Sequence, residues 1–186
     1  MKKRALKKKI KKLIHTTVDQ AGLHLPIRHK RTNINMSYDF IEDAIYFDIR
    51  RLVKARKEMT EIVPIEIYVQ TLTLHELGHQ LDREALLASI PRTIEILKAK
   101  RKHPMFERRK NINLFKIDME AHEMDYTFEE TGWENAEKLN RLHNIVEWDS
   151  FEKVKKNSLL TYTVFYNRDL LIYQQLLKEQ QEEAAG

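Results

Sequence analysis

The spacing of apolar residues predicts an amphipathic helix over residues 1–20. Apolar side chains recur there at intervals of three and four positions, which places them on one helical face: Leu6, Ile10, Leu13, Ile14 and Val18. Lysine and arginine fill most of the other positions as far as Lys12. We therefore expect a helix that buries one face and presents a basic exterior.

A β-hairpin is predicted next, after Gly22 and Pro26 interrupt the helical pattern. Residues 33–40 and 44–48 alternate apolar and polar side chains, which is typical of strands with one buried face. The acidic pair Glu42-Asp43 lies between these two segments, where a turn would join them.

From Ile49 onward the pattern becomes helical. A new helix is expected to begin at Pro64 and to run to about Asp82, because the missing N–H of proline is tolerated in a first helical turn. Pro91 should interrupt the helical stretch that follows.

The rest of the chain is also predicted to be mainly helical. After His103-Pro104 we expect a basic loop over residues 107–110. Helices are then expected over residues 113–130, with Gly132 ending the helix, over 134–147 and over 151–183, and residues 182–186 should be frayed. Together with the hairpin, these segments predict a mainly helical α+β fold in which a small antiparallel hairpin or sheet precedes the helix that begins at Pro64.

Composition narrows the class of protein. A chain of 186 residues suits one domain over residues 1–186. It lacks any run of about 18–20 apolar residues, so we expect no membrane span. Since it has no cysteine, a transition-metal site must use His, Asp or Glu, and the cytoplasm is the expected compartment. The net charge is +5, and most of the excess comes from residues 1–12.

The segment that carries chemistry is His75-Glu76-Leu77-Gly78-His79, which has the pattern H-E-x-x-H. Residues i and i+4 lie on one face of a helix, so the imidazoles of His75 and His79 can bind one ion. Glu76 is turned away from that ion, toward a water molecule bound to it. We therefore expect Zn²⁺, with Glu76 as the general base in hydrolysis of a peptide bond.

On His75, Glu76 and His79 the chain resembles the zincin metallopeptidases, whose hairpin precedes the active helix. More narrowly, it is similar to the small gluzincin-type domains of the ImmA/IrrE group, in which a glutamate ligand comes from a second helix. That similarity adds residues 118–122, with His122 where the group has Asn. It implies a single zincin-like domain that cleaves a regulatory polypeptide at limited sites, such as a DNA-binding regulator.

By this resemblance Glu120 is the expected third ligand. His122 is the main alternative and would make the site similar to the three-histidine SprT-like type. Other acidic candidates lie close in sequence: Asp82, Asp118, Glu123 and Asp125. Asp82 could equally orient a ligand imidazole or cap the helix. Candidates for a donor that stabilises the oxyanion are Tyr126, His143, Tyr162 and Tyr166.

Two other classes of function are left open. The basic helix over residues 1–20 could contact nucleic acid, although no recognisable nucleic-acid motif is present, and we favour the peptidase. The chain could also be a regulatory interaction protein whose metal site is structural or absent. A structural site has no need of a base, so Glu76 argues against that interpretation.

Overall fold

The computed structural model describes residues 3–185. In chain order the described residues form α1 (Lys3–Gln20), β1 (Ile27–His29), β2 (Met36–Asp39), β3 (Ala44–Phe47), α2 (Ile49–Glu58), α3 (Ile65–Leu81), α4 (Arg83–Lys102), α5 (Met105–Arg108), α6 (Ile112–His143) and α7 (Trp148–Ala185). The protein is thus a mainly helical α+β fold with a small sheet ahead of α3, as predicted. Within the described range, no helix is both long enough and apolar enough to cross a membrane.

The length of the chain predicts one domain over residues 1–186, and the internal contacts group this range into two compact units. The first unit contains the residues up to Leu87 together with Glu129–Ser158, and the second contains Ala88–Phe128 and the residues from Leu159 onward. The boundaries fall inside α4, α6 and α7.

Helix α3 forms the centre of the first unit, where α1, α2 and β2 pack against it. Every residue from Thr71 to Gly78 is buried, so α3 is covered on all sides. Helix α1 supplies part of this cover: Ile10, Ile14 and Val18 are at most 2% exposed, which confirms the predicted amphipathic helix. Met1 and Lys2, which belong to that prediction, lie outside the described residues.

The predicted hairpin is confirmed as β2 and β3, which pair antiparallel with Tyr38 opposite Ile45. Asp43 takes a positive φ of 49° in the turn between them, a conformation that aspartate tolerates better than most residues. The sheet also includes β1, which pairs parallel to β3, so it is mixed rather than wholly antiparallel. Strand β1 was missed because three residues are too few to show a period of two.

Three predicted helix boundaries were wrong. Pro91 lies inside α4 and does not interrupt it. Because proline has no N–H, the carbonyl of Leu87, four residues earlier, receives no helical hydrogen bond from it. Leu87 is also the last residue of the first unit before the border in α4. Gly132 lies inside α6, which continues to His143. The expected loop over residues 107–110 begins with the short helix α5.

The two long helices α6 and α7 are joined by a turn that the buried Asn140 holds together. Its Nδ2 donates to the carbonyl of Val146 at 2.8 Å, and its Oδ1 accepts from the backbone of Ile145 and Val146. Helix α7 then continues to Ala185, and the fraying expected over residues 182–186 stays a prediction. Gly186 lies outside the described residues.

Candidate metal centre

Two imidazoles meet on α3, one helical turn apart. The Nε2 atoms of His75 and His79 are 3.1 Å apart, and the ring planes are inclined at 70°. His75 is 5% exposed, and His79 is partly buried. The prediction that these side chains converge is confirmed, because both ring nitrogens point at the same small volume.

A carboxylate from α6 completes the cluster. Glu129 Oε2 lies 3.1 Å from Nε2 of His75, and its Oε1 lies 3.7 Å from Nε2 of His79. Each of the three residues offers one ligand atom, and these atoms lie within 4.8 Å of one another. Ligand atoms about 2.0–2.1 Å from a tetrahedral zinc ion are about 3.3 Å apart, so the donor set fits such an ion.

The charges of the cluster are interdependent. Burial raises the pKa of the Glu129 carboxyl, but hydrogen bonds from His75 and His79 outweigh it and hold this pKa well below its usual range. Burial lowers the pKa of His79, but the hydrogen bond to Glu129 and nearby carboxylates raise it overall. The centre therefore favours positive charge beside Glu129, which a divalent cation can supply.

Two glycines allow Glu129 to approach the imidazoles. A Cβ on Gly78 would lie 2.0 Å from the carbonyl oxygen of Gly132, so α3 and α6 meet backbone to backbone at this point. A Cβ on Gly132 would lie 2.6 Å from Cε1 of His79, in the space that the imidazole occupies. Asn135 adds a hydrogen bond from its Nδ2 to the carbonyl of Gly78 at 3.2 Å. Helices α3 and α6 are therefore in close contact at Gly78.

The ring of His75 is positioned by an aromatic stack. It lies against Trp133, with ring centroids 4.2 Å apart and an angle of 20° between the planes. Phe151 supports the indole from its edge at 5.7 Å, and both Trp133 and Phe151 are fully buried. Among the described residues, Nδ1 of His75 has no hydrogen-bond partner. Packing rather than an acceptor for Nδ1 therefore holds this imidazole in place.

Glu76 is not part of the ligand cluster and is bound to the sheet instead. Its Oε2 accepts a hydrogen bond from the backbone N–H of Tyr38 in β2 at 2.7 Å. Glu76 is only 5% exposed, and burial raises the pKa of its carboxyl. The hairpin thus holds a buried carboxylate close enough to the two imidazoles for their charges to act on its pKa.

The expected third ligand, Glu120, is not the carboxylate that lies beside the imidazoles. Glu120 belongs to the second unit, where Nε and Nη2 of Arg92 donate to its two oxygens at 2.6 Å each. That bidentate pair lowers the pKa of Glu120 and already balances its charge. The carboxylate that does lie there, Glu129, was not among the candidates, because the resemblance directed the choice of a third ligand to residues 118–122.

A signal for Glu129 was present in the sequence. Glu129, Gly132, Trp133 and Ala136 have the spacing i, i+3, i+4 and i+7, which places them on one face of a continuous helix. A glycine within a helical pattern often marks close packing, as it does here. Had α6 been extended through Gly132, this face would have drawn attention to Glu129.

The other candidate ligands are engaged elsewhere. Asp118 accepts from Arg108 at 2.6 Å, His122 pairs with Asp169 at 3.0 Å, and Glu123 accepts from Tyr166 at 3.5 Å. These three residues and Asp125 belong to the second unit.

Asp82 lies directly after α3, where its backbone N–H donates to the carbonyl of His79 at 3.1 Å. Its carboxylate accepts from Thr131 at 3.1 Å, and its charge helps to raise the pKa of His79. Asp82 therefore ends the helix and acts on His79 through its charge.

The candidate oxyanion donors are distributed over both units. Tyr126, Tyr162 and Tyr166 belong to the second unit. His143 is exposed at the end of α6, about 21 Å along the helix from Glu129. Its side chain cannot reach the imidazoles from there.

Comparisons with known proteins add no further evidence on the family. No protein-family model, no curated protein and no solved structure significantly matches the chain. What can be inferred about function therefore comes from the residues themselves.

Proposed function

We propose that this protein is a zinc-dependent peptidase in which His75, His79 and Glu129 hold the metal and Glu76 is the general base. One observation carries the proposal: two imidazoles and one carboxylate converge within 4.8 Å, next to a buried glutamate that is held outside their cluster. Two histidines and a glutamate are a common ligand set of catalytic zinc, and three protein ligands leave a fourth position for water.

A bound zinc ion would lower the pKa of its water toward about 7 and polarise the carbonyl group under attack. The protein itself would supply the carboxylate of Glu76, which accepts a proton from this water. The hydrogen bond from Tyr38 fixes one oxygen of Glu76, so the other can accept the proton and pass it to the leaving amine. The stack on Trp133 and the gap at Gly132 keep both imidazoles aimed at one point.

The substrate class follows from the resemblance rather than from the geometry of the centre. Similarity to the ImmA/IrrE group favours limited cleavage of a regulatory polypeptide, with a DNA-binding regulator as one such substrate. A chain without cysteine supports action in the cytoplasm. A structural zinc site is a weaker alternative, because structural sites use four protein ligands and have no need of a buried base such as Glu76.

The proposal is tested by separating metal binding from catalysis. We expect the purified protein to bind one zinc ion per chain, measured by elemental mass spectrometry. We also expect it to create new amino termini in a proteome-derived peptide library. Glu76→Gln should keep the zinc but slow cleavage by a factor of about 10²–10⁴, since it removes the base.

Glu84→Gln, which removes an exposed carboxylate in α4, is the matched control and should cleave normally. Unchanged cleavage by Glu76→Gln would eliminate the assigned base. Failure of the wild-type protein to bind zinc would eliminate the metal centre.

A further inference from the structure

The basic residues of α1 have no part in the proposed peptidase. Eight of the chain's 33 lysines and arginines lie within residues 1–12, which contain none of its 28 acidic residues. The other residues therefore have 25 basic against 28 acidic side chains, a net charge of −3. A chain whose overall charge is +5 thus concentrates its positive charge in one helix.

The structure turns these cations toward solvent. Arg4, Lys7, Lys8 and Lys11 have the spacing i, i+3, i+4 and i+7, and all four are exposed and border one open depression. Helix α1 also packs against α3, and its buried side chains are Ile10, Ile14, Thr17 and Val18. Of the α1 cations from Arg4 to Lys12, only Lys9 has a carboxylate within ion-pair distance among the described residues, that of Glu66.

The positive charge continues from α1 to the edge of the sheet. Lys30 and Arg31 follow β1 and are exposed. Burial lowers the pKa of His29 in β1, and Lys7 and Arg31 lower it further against the opposing effect of Asp48. Lys7 is therefore close enough to β1 for its charge to act on His29. Arg4, Lys7, Lys8, Lys11, Lys30 and Arg31 are called the basic surface below.

We infer that the basic surface binds the phosphate backbone of nucleic acid, with duplex DNA as the partner. Clustered exposed cations on a helix and an adjacent sheet edge match the regular negative charge of a duplex. Tyr46 lies beside this surface, and Nζ of Lys30 is 5.3 Å from the centre of its ring. The contact would be independent of base sequence, because the cations would bind the phosphates and not the edges of the bases.

An anionic membrane is the main competing partner, and the packing of α1 argues against it. Helices that lie in a membrane surface insert an apolar face between the lipids. The apolar face of α1 is already used, since Ile10 and Ile14 are fully buried and Val18 is 2% exposed. Among its described residues, α1 has no large hydrophobic side chain that is exposed.

The test measures binding of a short fluorescein-labelled DNA duplex by fluorescence anisotropy between about 50 and 200 mM salt. We expect affinity to fall steeply with salt. The triple variant Lys7→Gln, Lys8→Gln, Lys11→Gln should reduce the slope of log K against log salt by up to about 2.7, because each lost phosphate contact contributes about 0.9. At about 100 mM salt its affinity should fall at least about tenfold.

The matched control is Lys57→Gln, Lys98→Gln, Lys156→Gln, which makes the same change in net charge at exposed lysines outside the basic surface. It should bind DNA like the wild type, and both triple variants should keep the wild-type circular dichroism spectrum and zinc content. Equal loss in both variants, or no DNA binding by the wild type, would overturn the inference. Tighter, lysine-dependent binding to phosphatidylserine vesicles would assign the basic surface to membranes instead. None of these outcomes depends on peptidase activity.

Discussion

Each of the two units places an imidazole against a carboxylate, but the two clusters differ in their other partners. In the first unit the ion-pair partners of Glu129 are His75 and His79, and no lysine or arginine lies within ion-pair distance of it among the described residues. In the second unit, Asp169 pairs with His122 at 3.0 Å, Arg109 at 2.8 Å and Arg168 at 3.2 Å.

The difference shows what separates a candidate metal centre from a structural ion pair. Arginine cannot lose its proton in proteins, so the charge of Asp169 is permanently balanced and a further cation would be repelled. The partners of Glu129 are imidazoles, which can become neutral and present lone pairs to a metal. Glu120, with both oxygens held by Arg92, falls into the same class as Asp169.

The largest expected effect is on zinc affinity, and it should follow from removing the carboxylate of Glu129 but not that of Asp169 or Glu120. Glu129→Gln should lower zinc affinity by at least about 100-fold, because even the outer partners of metal ligands cost 10–100-fold when they are lost. Asp169→Asn and Glu120→Gln should leave zinc affinity unchanged. Competition with a chromophoric zinc chelator measures all three. Loss of zinc affinity in Glu120→Gln, with Glu129→Gln normal, would restore the ligand expected from the sequence.

Substitutions at Gly78 and Gly132 should have different effects, one on the stability of the fold and the other on zinc binding. Gly78→Ala would bring its methyl group against the backbone carbonyl of Gly132, so it should destabilise the fold by about 2–3 kcal/mol. Gly132→Ala would meet the movable ring of His79 instead. It should reduce zinc affinity by about 10–100-fold while its stability changes little, since alanine favours a helix by about 1 kcal/mol.

Urea unfolding of the metal-free protein and zinc competition measure these two effects separately. Glu134→Ala, on the exposed side of α6, serves as the control. If Gly132→Ala bound zinc at wild-type strength, the assigned packing of His79 would be wrong. Wild-type stability in Gly78→Ala would contradict the close contact between α3 and α6.

The smallest effect concerns the second unit alone. Burial raises the pKa of Asp169, but its hydrogen bond with His122 and its ion pairs with Arg168 and Arg109 lower it overall from its ordinary value of 3.8. A carboxyl with a lowered pKa in the folded state stabilises the fold above its unfolded pKa. This contribution is lost as the pH falls through the folded value.

Asp169→Asn should therefore reduce the free energy of unfolding by about 1–2 kcal/mol at neutral pH. The expected loss is this small because all three partners of Asp169 are partly exposed, so solvent screens the ion pairs. The difference from the wild type should shrink below a pH of about 4. Urea unfolding followed by circular dichroism over this pH range measures it, with exposed Glu152→Gln as the control. A difference that stayed constant down to the most acidic pH would contradict the assigned ion pairs.

Much of the fold and two of the three clustered residues could be predicted from local patterns. The apolar spacing of α1, the alternation in β2 and β3 and the position of Pro64 each depend on neighbours in sequence, so these elements were predicted correctly. The same is true of His75 and His79, because the geometry of one helical turn brings their rings together whatever surrounds the helix.

The third member of the cluster depended on tertiary structure. Whether a glycine ends a helix or lies inside it is decided by what packs against it, and at Gly132 that is the backbone of α3 and the ring of His79. This contact joins segments far apart in sequence, and it brings Glu129 rather than Glu120 to the imidazoles. The sequence by itself determined the helix that carries the two histidines, and only the packing of α6 on α3 decided which carboxylate faces them.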